Sequence, residues 1–225
     1  MVDADVVAFS LSWVDPWLAP WWVAWGVAVS RMEAFAFVLS VAMVGFNLRV
    51  NPLGWPLAII SSVLYGILFA RSRLYGEASL QLVFVALSVW GWWQWLNGVD
   101  EHSQSLDVRS LSPEGRAVAL GATLLLWPIL GWFLQHVTDS DVPYWDALPT
   151  AGSLVGQWLL GRKLIENWPC WLLVNLISMA LFAHKQLWLT VILYGVFAVL
   201  SIWGWQHWRG RTMNKSGLAT RSSAV

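Results

Sequence analysis

Charge is what this chain most lacks. Only 12% of its 225 residues are Asp, Glu, Lys or Arg, against roughly 25% in an ordinary soluble domain. The formal net charge is zero, so there is no electrostatic footprint for a nucleic acid or an acidic partner. A single cysteine, Cys170, excludes an internal disulfide and a cysteine-only zinc site. His102, His136, His184 and His207 fall in loops or at the ends of apolar stretches, with no metal-ligand spacing. There is no glycine-rich phosphate cradle, and no Ser/His/Asp arrangement stands out. No metal or cofactor is therefore expected. No basic run precedes the first apolar stretch, where Asp3 and Asp5 stand instead, which argues against a cleaved signal peptide.

What the chain has in abundance is apolar surface. Hydrophobic residues make up 58%, with 20 Trp and 9 Phe. Trp favours membrane interfaces, where its ring is apolar and its N–H stays wet. A charge is costly at the centre of a bilayer, so uncharged stretches mark candidate spans. Seven are found: Ala34–Leu48, Val50–Ala70, Ala78–Val99, Ala117–Thr138, Ala147–Gly161, Asn167–Ala183 and Gln186–Trp208. The first and fifth are short for a span of about 17–25 residues. Arg31, Arg49, Arg162 and Lys163 would then snorkel at the interface. Pro16–Ser30 is also apolar, but it is short and carries Pro16 and Pro20. A helix lying on the membrane surface is expected there, within an N-terminal segment 1–31.

Lys and Arg divide unequally between the two sides. Arg49, Arg109, Arg116, Arg162, Lys163, Arg209, Arg211, Lys215 and Arg221 fall on one side, and Arg31, Arg71, Arg73 and Lys185 on the other. The positive-inside rule places the richer side in the cytoplasm. The N-terminus is then outside, while the loop 97–115 and a polar tail 209–225, read as disordered, are cytoplasmic.

The sequence also repeats itself. Residues Glu33–Trp95 can be set, without a gap, against residues 113 positions later. Trp55-Pro56 then meets Trp168-Pro169, Phe69-Ala70 meets Phe182-Ala183, and Ser88 meets Ser201. Trp90-Gly91-Trp92 meets Trp203-Gly204-Trp205, Trp95 meets Trp208, and Arg49 meets Arg162. Several matches in one register exceed what a Trp-rich composition supplies by chance. Three spans reverse the chain's direction, so the extra span 116–138 restores it as a linker. The expected fold is an all-α membrane protein with seven transmembrane helices in a 3+1+3 plan, in which parallel repeats occupy 32–96 and 145–208. Secondary transporters use such repeats, although a repeat can also serve only to build a stable bundle. Trp-Pro marks helix starts, since Pro suits a first turn and Asn167 could cap from the preceding position.

Polar side chains inside the spans are the candidate site residues. Trp171 and Asn175 are four apart, so they share a helical face. Asn175 can donate and accept toward an amide or hydroxyl, and Trp171 can stack on a flat ring. The alternative is helix–helix glue by Asn and an interfacial Trp. The repeat maps Asn175 onto Ser62, Trp171 onto Ala58, and Gln81 onto Tyr194. Polar positions thus recur on both sides of one axis. Ser88, Gln157 and Tyr65 are further candidates that helix packing could equally explain. No acid lies within a span, which favours a facilitator over an ion-coupled pump.

The run Glu166-Asn167-Trp168-x-x-Trp171-x-x-x-Asn175-x-Ile177-Ser178, with Leu74-Tyr75, Gln81 and Trp90-Gly91-Trp92, resembles the PnuC-type vitamin transporters. The resemblance runs from about Met32 to Trp208, and Trp-x-x-x-Asn is its most specific element. It implies a SWEET-like fold in the bacterial inner membrane, commonly trimeric. It implies facilitated diffusion of nicotinamide riboside, trapped inside by a cytoplasmic kinase. Trp171 and Asn175 match the family's ligand-contacting motif, and Gln81 and Tyr194 fall at matching positions; Ser88 departs from an Asn in relatives. The same family carries thiamine and riboflavin, so these remain rival cargos. A membrane enzyme or receptor is the rival of another class. It lacks support from acid/base residues inside the bundle or from a soluble output domain.

Overall fold

The computed structural model describes residues 15–24, 27–71, 75–99, 105–138, 142–184 and 188–222. After a single turn, α1 (Asp15–Leu18), come two strands, β1 (Pro20–Ala24) and β2 (Val27–Ser30). Seven helices of 18 residues or more follow: α2 (Arg31–Leu48), α3 (Gly54–Arg71), α4 (Tyr75–Asn97), α5 (Pro113–Val137), α6 (Pro143–Gly161), α7 (Asn167–His184) and α8 (Trp188–Ser222). Eighteen residues at about 1.5 Å each make a rod of roughly 27 Å, close to the thickness of a bilayer's hydrocarbon core. By length and composition alone, α2 and α5 are apolar enough to cross a membrane.

Local sequence explains where these helices begin. Ser30 caps α2, accepting from Glu33 N–H, while the Glu33 carboxylate accepts from the Ser30 N–H, a complete capping box. Ser112 caps α5, with Pro113 in the first turn. Asn167 does not cap α7 in the expected way. It is the first residue of the helix, and its Nδ2 donates back to Leu164 O.

Two expectations fail at the ends of the chain. Pro16–Ser30 is not a surface helix: β1 and β2 pair antiparallel, Trp22 opposite Val29 and Ala24 opposite Val27. Val and Trp are strand formers, and Pro20 at the start of β1 donates nothing to the ladder. The tail read as disordered is helix as far as Ser222. Once α8 is nucleated, each added residue gains a backbone bond for little further ordering, and Arg211 anchors the extension through a bond from Nη2 to Arg49 O of 3.2 Å.

The distribution of polarity is inverted relative to a water-soluble protein. Leu82 and Val118 are each 71% exposed, whereas Ser88, Asn167, Asn175, Gln157 and Ser201 are buried. Apolar side chains face outward and polar ones inward because the surrounding medium is hydrocarbon. The outward belt includes α5, whose one buried residue is Gly131, under the Tyr144 ring.

Helices pack mainly against their neighbours in sequence, with two exceptions: α4 packs on α6, and α8 on α2. These contacts join the two halves, and they repeat at the 113-residue spacing. Trp95 Nε1 donates to Leu160 O at 3.0 Å, and Trp208 Nε1 to Asn47 O at 3.2 Å. Val50 and Lys163 both adopt the left-handed region, φ 57° and 54°, and close the same turn through bonds of 3.0 Å to Asn47 O and Leu160 O. Trp55 lies against Gly91 and Trp168 against Gly204, and at both places a Cβ would sit inside the indole ring. The four indoles Trp55, Trp95, Trp208 and Trp168 form a continuous chain, edge to face at 5.5 Å at both ends and 6.2 Å in the middle. They are the centre of the buried apolar core, with Val108, Leu160 and Ile165.

The connection before α5 is stitched to the turn after α6. Arg109 N–H donates to Lys163 O and Ile165 N–H to Arg109 O, at 3.2 and 3.0 Å. Glu166 receives Leu111 N–H and Arg116 Nε at 3.1 and 3.0 Å. The Lys163 ammonium donates to Leu106 O and lies 5.2 Å from the Trp95 ring. Burial holds its pKa below the ordinary lysine value.

Candidate functional site

The polar residues singled out in the sequence sit on α3, α4, α6, α7 and α8, turned toward the interior of the bundle. Trp171 is half-buried on α7, its indole edge laid over Gly156 of α6. The approach is close: a Cβ there would meet the indole at 3.3 Å, a tight contact that the ring would have to ease. One turn on, Asn175 is buried and its Nδ2 donates to Ser201 Oγ of α8 at 3.2 Å. Gln157, on α6 beside Gly156, donates through Nε2 to Ser88 Oγ of α4 at 3.2 Å. Two amide–serine pairs therefore stand in the bundle, one within the second half and one joining the halves.

Toward the other end of α7, the Tyr194 hydroxyl is hydrogen-bonded to Ser178. Its ring packs on Phe182 at 5.2 Å and edge to face on Phe197 at 6.2 Å. Tyr65 lies within electrostatic range of Tyr194 and Glu33 and is stacked on Phe69. Gln81 packs its stem against Gly66. Ser62 is half-buried, and no hydrogen bond joins it to Gln81 or to Asn175 among the described residues. The structure thus places Trp171 and Asn175 on α7 and Gln157 on α6, which packs on both α7 and α4 and pairs with Ser88 there.

Sequence reasoning missed two serines as site residues. Ser201 was visible as the counterpart of Ser88, and the same offset would have nominated it. Ser178 stands in the quoted motif without a role. A third pair, Ser40 and Ser61, shares a hydrogen bond of 2.8 Å between α2 and α3. It lacked any signal, because serine is common in apolar helices.

In this conformation each amide nitrogen is paired with a serine, Asn175 with Ser201 and Gln157 with Ser88. Two shallow surface grooves lie elsewhere. One runs along α8 past Ile192, Val199 and Trp203, the other between Trp17, Trp21, Arg31 and Phe35. Among the described residues, no group of His, Cys, Asp and Glu could hold a metal ion. The site can stack a flat ring and exchange hydrogen bonds.

Long helices with lipid-compatible exteriors, joined at a seam lined by amides, hydroxyls and aromatic rings, define a membrane transporter. The chain belongs to the nicotinamide mononucleotide transporter family, whose model matches residues 30–210. Among curated relatives, a nicotinamide riboside transporter PnuC of Escherichia coli K12 is 23% identical over 204 residues, covering 80% of this chain and 85% of the relative. A riboflavin/roseoflavin transporter RibM of Streptomyces davaonensis is 26% identical over 183 residues, covering 80% and 84%. The fold matches a crystal structure of the vitamin B3 transporter PnuC with a TM-score of 0.65, at 21% identity, over 91% of this chain and 85% of that one.

Proposed function

We propose that this chain carries nicotinamide riboside across the bacterial inner membrane by facilitated diffusion, as seven spans in a 3+1+3 arrangement of parallel, SWEET-like repeats. The observation that carries the reading is the Trp171–Asn175 pair: one ring and one amide, a turn apart on α7, inside the bundle. Trp171 stacks on the pyridinium ring, a cation–π contact worth about 0.5–2 kcal/mol. Asn175 and Gln81 bond the polar substituents, and Tyr194, with Tyr65, walls the pocket. Ser62, Ser88 and Gln157 complete its lining. The equivalent contacts made at the 113-residue spacing, such as Trp95 to Leu160 O and Trp208 to Asn47 O, support the repeat plan. The loops rich in Lys and Arg face the cytoplasm, the N-terminus lies outside, a cytoplasmic kinase traps the product, and the protein works as a homotrimer.

A second cargo is favoured by a specific observation, the 26% identity to a riboflavin/roseoflavin transporter. Thiamine is a third. Calorimetric competition among nicotinamide riboside, riboflavin and thiamine on the purified protein decides between them. Nicotinamide riboside should bind and the other two should fail to displace it. Tighter binding of riboflavin or thiamine would replace the cargo assignment.

A further inference from the structure

A side-chain amide has a donor end and an acceptor end, and which end meets the ligand decides what is recognised. At ordinary resolution the two ends look alike and the hydrogen-bond network must assign them. For Asn175 the network does so. The Ser201 hydroxyl donates its one proton along its own helix to Phe197 O, at 2.8 Å. With that proton committed, Ser201 Oγ can only accept. The Asn175 atom 3.2 Å from it is therefore the nitrogen. Asn175 Oδ1 is turned away from Ser201. It takes no hydrogen bond from the described residues and is not among the buried atoms sealed without a partner. Ser88, at the corresponding position of the first half, differs. Among the described residues its hydroxyl has Gln157 as its partner and no commitment along its own helix. It can donate or accept, and Gln157 can present either end.

We propose that Ser201 is a positioning residue that locks Asn175 as a hydrogen-bond acceptor. It thereby selects a ligand bearing an N–H donor, a ring carboxamide, over the same ligand bearing a carboxylate. The inference rests on the reading of the cargo as nicotinamide riboside. Trp171, one turn away on the same face, holds the flat ring, which brings a ring substituent beside Asn175. A carboxamide there offers its N–H to Oδ1. A carboxylate has acceptors only, so lone pairs would meet lone pairs where water is excluded, and discrimination comes from repulsion as much as attraction. If Asn175 were free to rotate its amide, it would turn the nitrogen to a carboxylate and the selectivity would fade.

The test is calorimetric binding of nicotinamide riboside and nicotinic acid riboside to the full-length protein, as wild type, Ser201→Ala and Ser201→Thr, with a melting curve for each. Wild type should prefer the amide by about tenfold or more. Ser201→Ala should cut that preference to below about threefold, mainly by improving binding of the acid, while the melting temperature stays near that of wild type. Ser201→Thr keeps a hydroxyl that bonds the carbonyl four residues back, and should restore the preference. The charge of the acid could by itself disfavour it in wild type, so the change in the ratio is the deciding quantity. Equal affinities in wild type, or a ratio unmoved by Ser201→Ala, overturn the inference while leaving the cargo reading intact. Binding of neither riboside overturns the cargo reading and this inference together.

Discussion

Trp171 and Asn175 carry different kinds of interaction, so their substitutions should fail in different ways. Trp171→Ala removes a stacking surface beside Gly156 and should weaken binding with little effect on folding, since the indole is only half-buried. Asn175→Leu removes the partner of Ser201 as well as the ligand's. An unpaired polar group in a dry site costs about 1–3 kcal/mol, so affinity should fall roughly five- to a hundredfold. Calorimetry on folded protein measures both, and normal affinity in both variants would take them out of the site. Gly91 and Gly204 make a sharper structural case. A Cβ at either would lie 2.2–2.3 Å from the indole of Trp55 or Trp168, rings that are 1% and 3% exposed and have no room to retreat. Gly91→Ala and Gly204→Ala should each destabilise the protein by about 1–3 kcal/mol. Melting curves in detergent should show comparable drops, because the two positions are structural equivalents. A neutral result at one of them would break that equivalence.

Among elements, the long helices were legible because hydrocarbon is an unforgiving medium: a charge-free run near 20 residues has few other uses. Boundaries moved by a few residues where capping decided them, as at Ser30. The segment Pro16–Ser30 was misread because Val, Trp and Ala suit a pleated ribbon as well as a surface helix, and the pairing of Trp22 with Val29 leaves no periodic trace in so short a run. The end of α8 was misread because polarity marks the end of a span, not of a helix. Candidate site residues could be nominated where spacing and repeat coincided, at Trp171, Asn175 and Ser88, and the same offset reaches Ser201, whose pairing with Asn175 only the fold reveals. The Trp abundance was read as interfacial, yet Trp55, Trp95, Trp168 and Trp208 are core; composition cannot separate those uses. The connection between α4 and α5 carries the topology prediction. Ser110 is exposed in it; Gln104, a labelling position in the same connection, lies outside the described residues. A cysteine at Ser110→Cys, in a Cys170→Ala background, should resist an impermeant maleimide in intact cells and react after permeabilisation. Labelling of intact cells would invert the orientation.

At the scale of the whole molecule, the proposed facilitated diffusion is motivated by the absence of an acid from the spans of the sequence. Uptake into proteoliposomes should follow the substrate gradient and ignore imposed proton, sodium and voltage gradients. Accumulation above equilibrium without a kinase would refute a pure facilitator. The two halves meet at one end through the indole chain, where Trp95 touches Trp208 across the seam and each donates to the opposite half. Indoles 5.5–6.2 Å apart are close enough for their excited states to mix, and a twisted row of them absorbs left- and right-handed light unequally. The seam therefore has a chiroptical signature that Trp95→Phe would interrupt at its middle link. Parting of the halves at this end must decouple Trp95 from Trp208. Any such parting would thus be read optically, with no added dye.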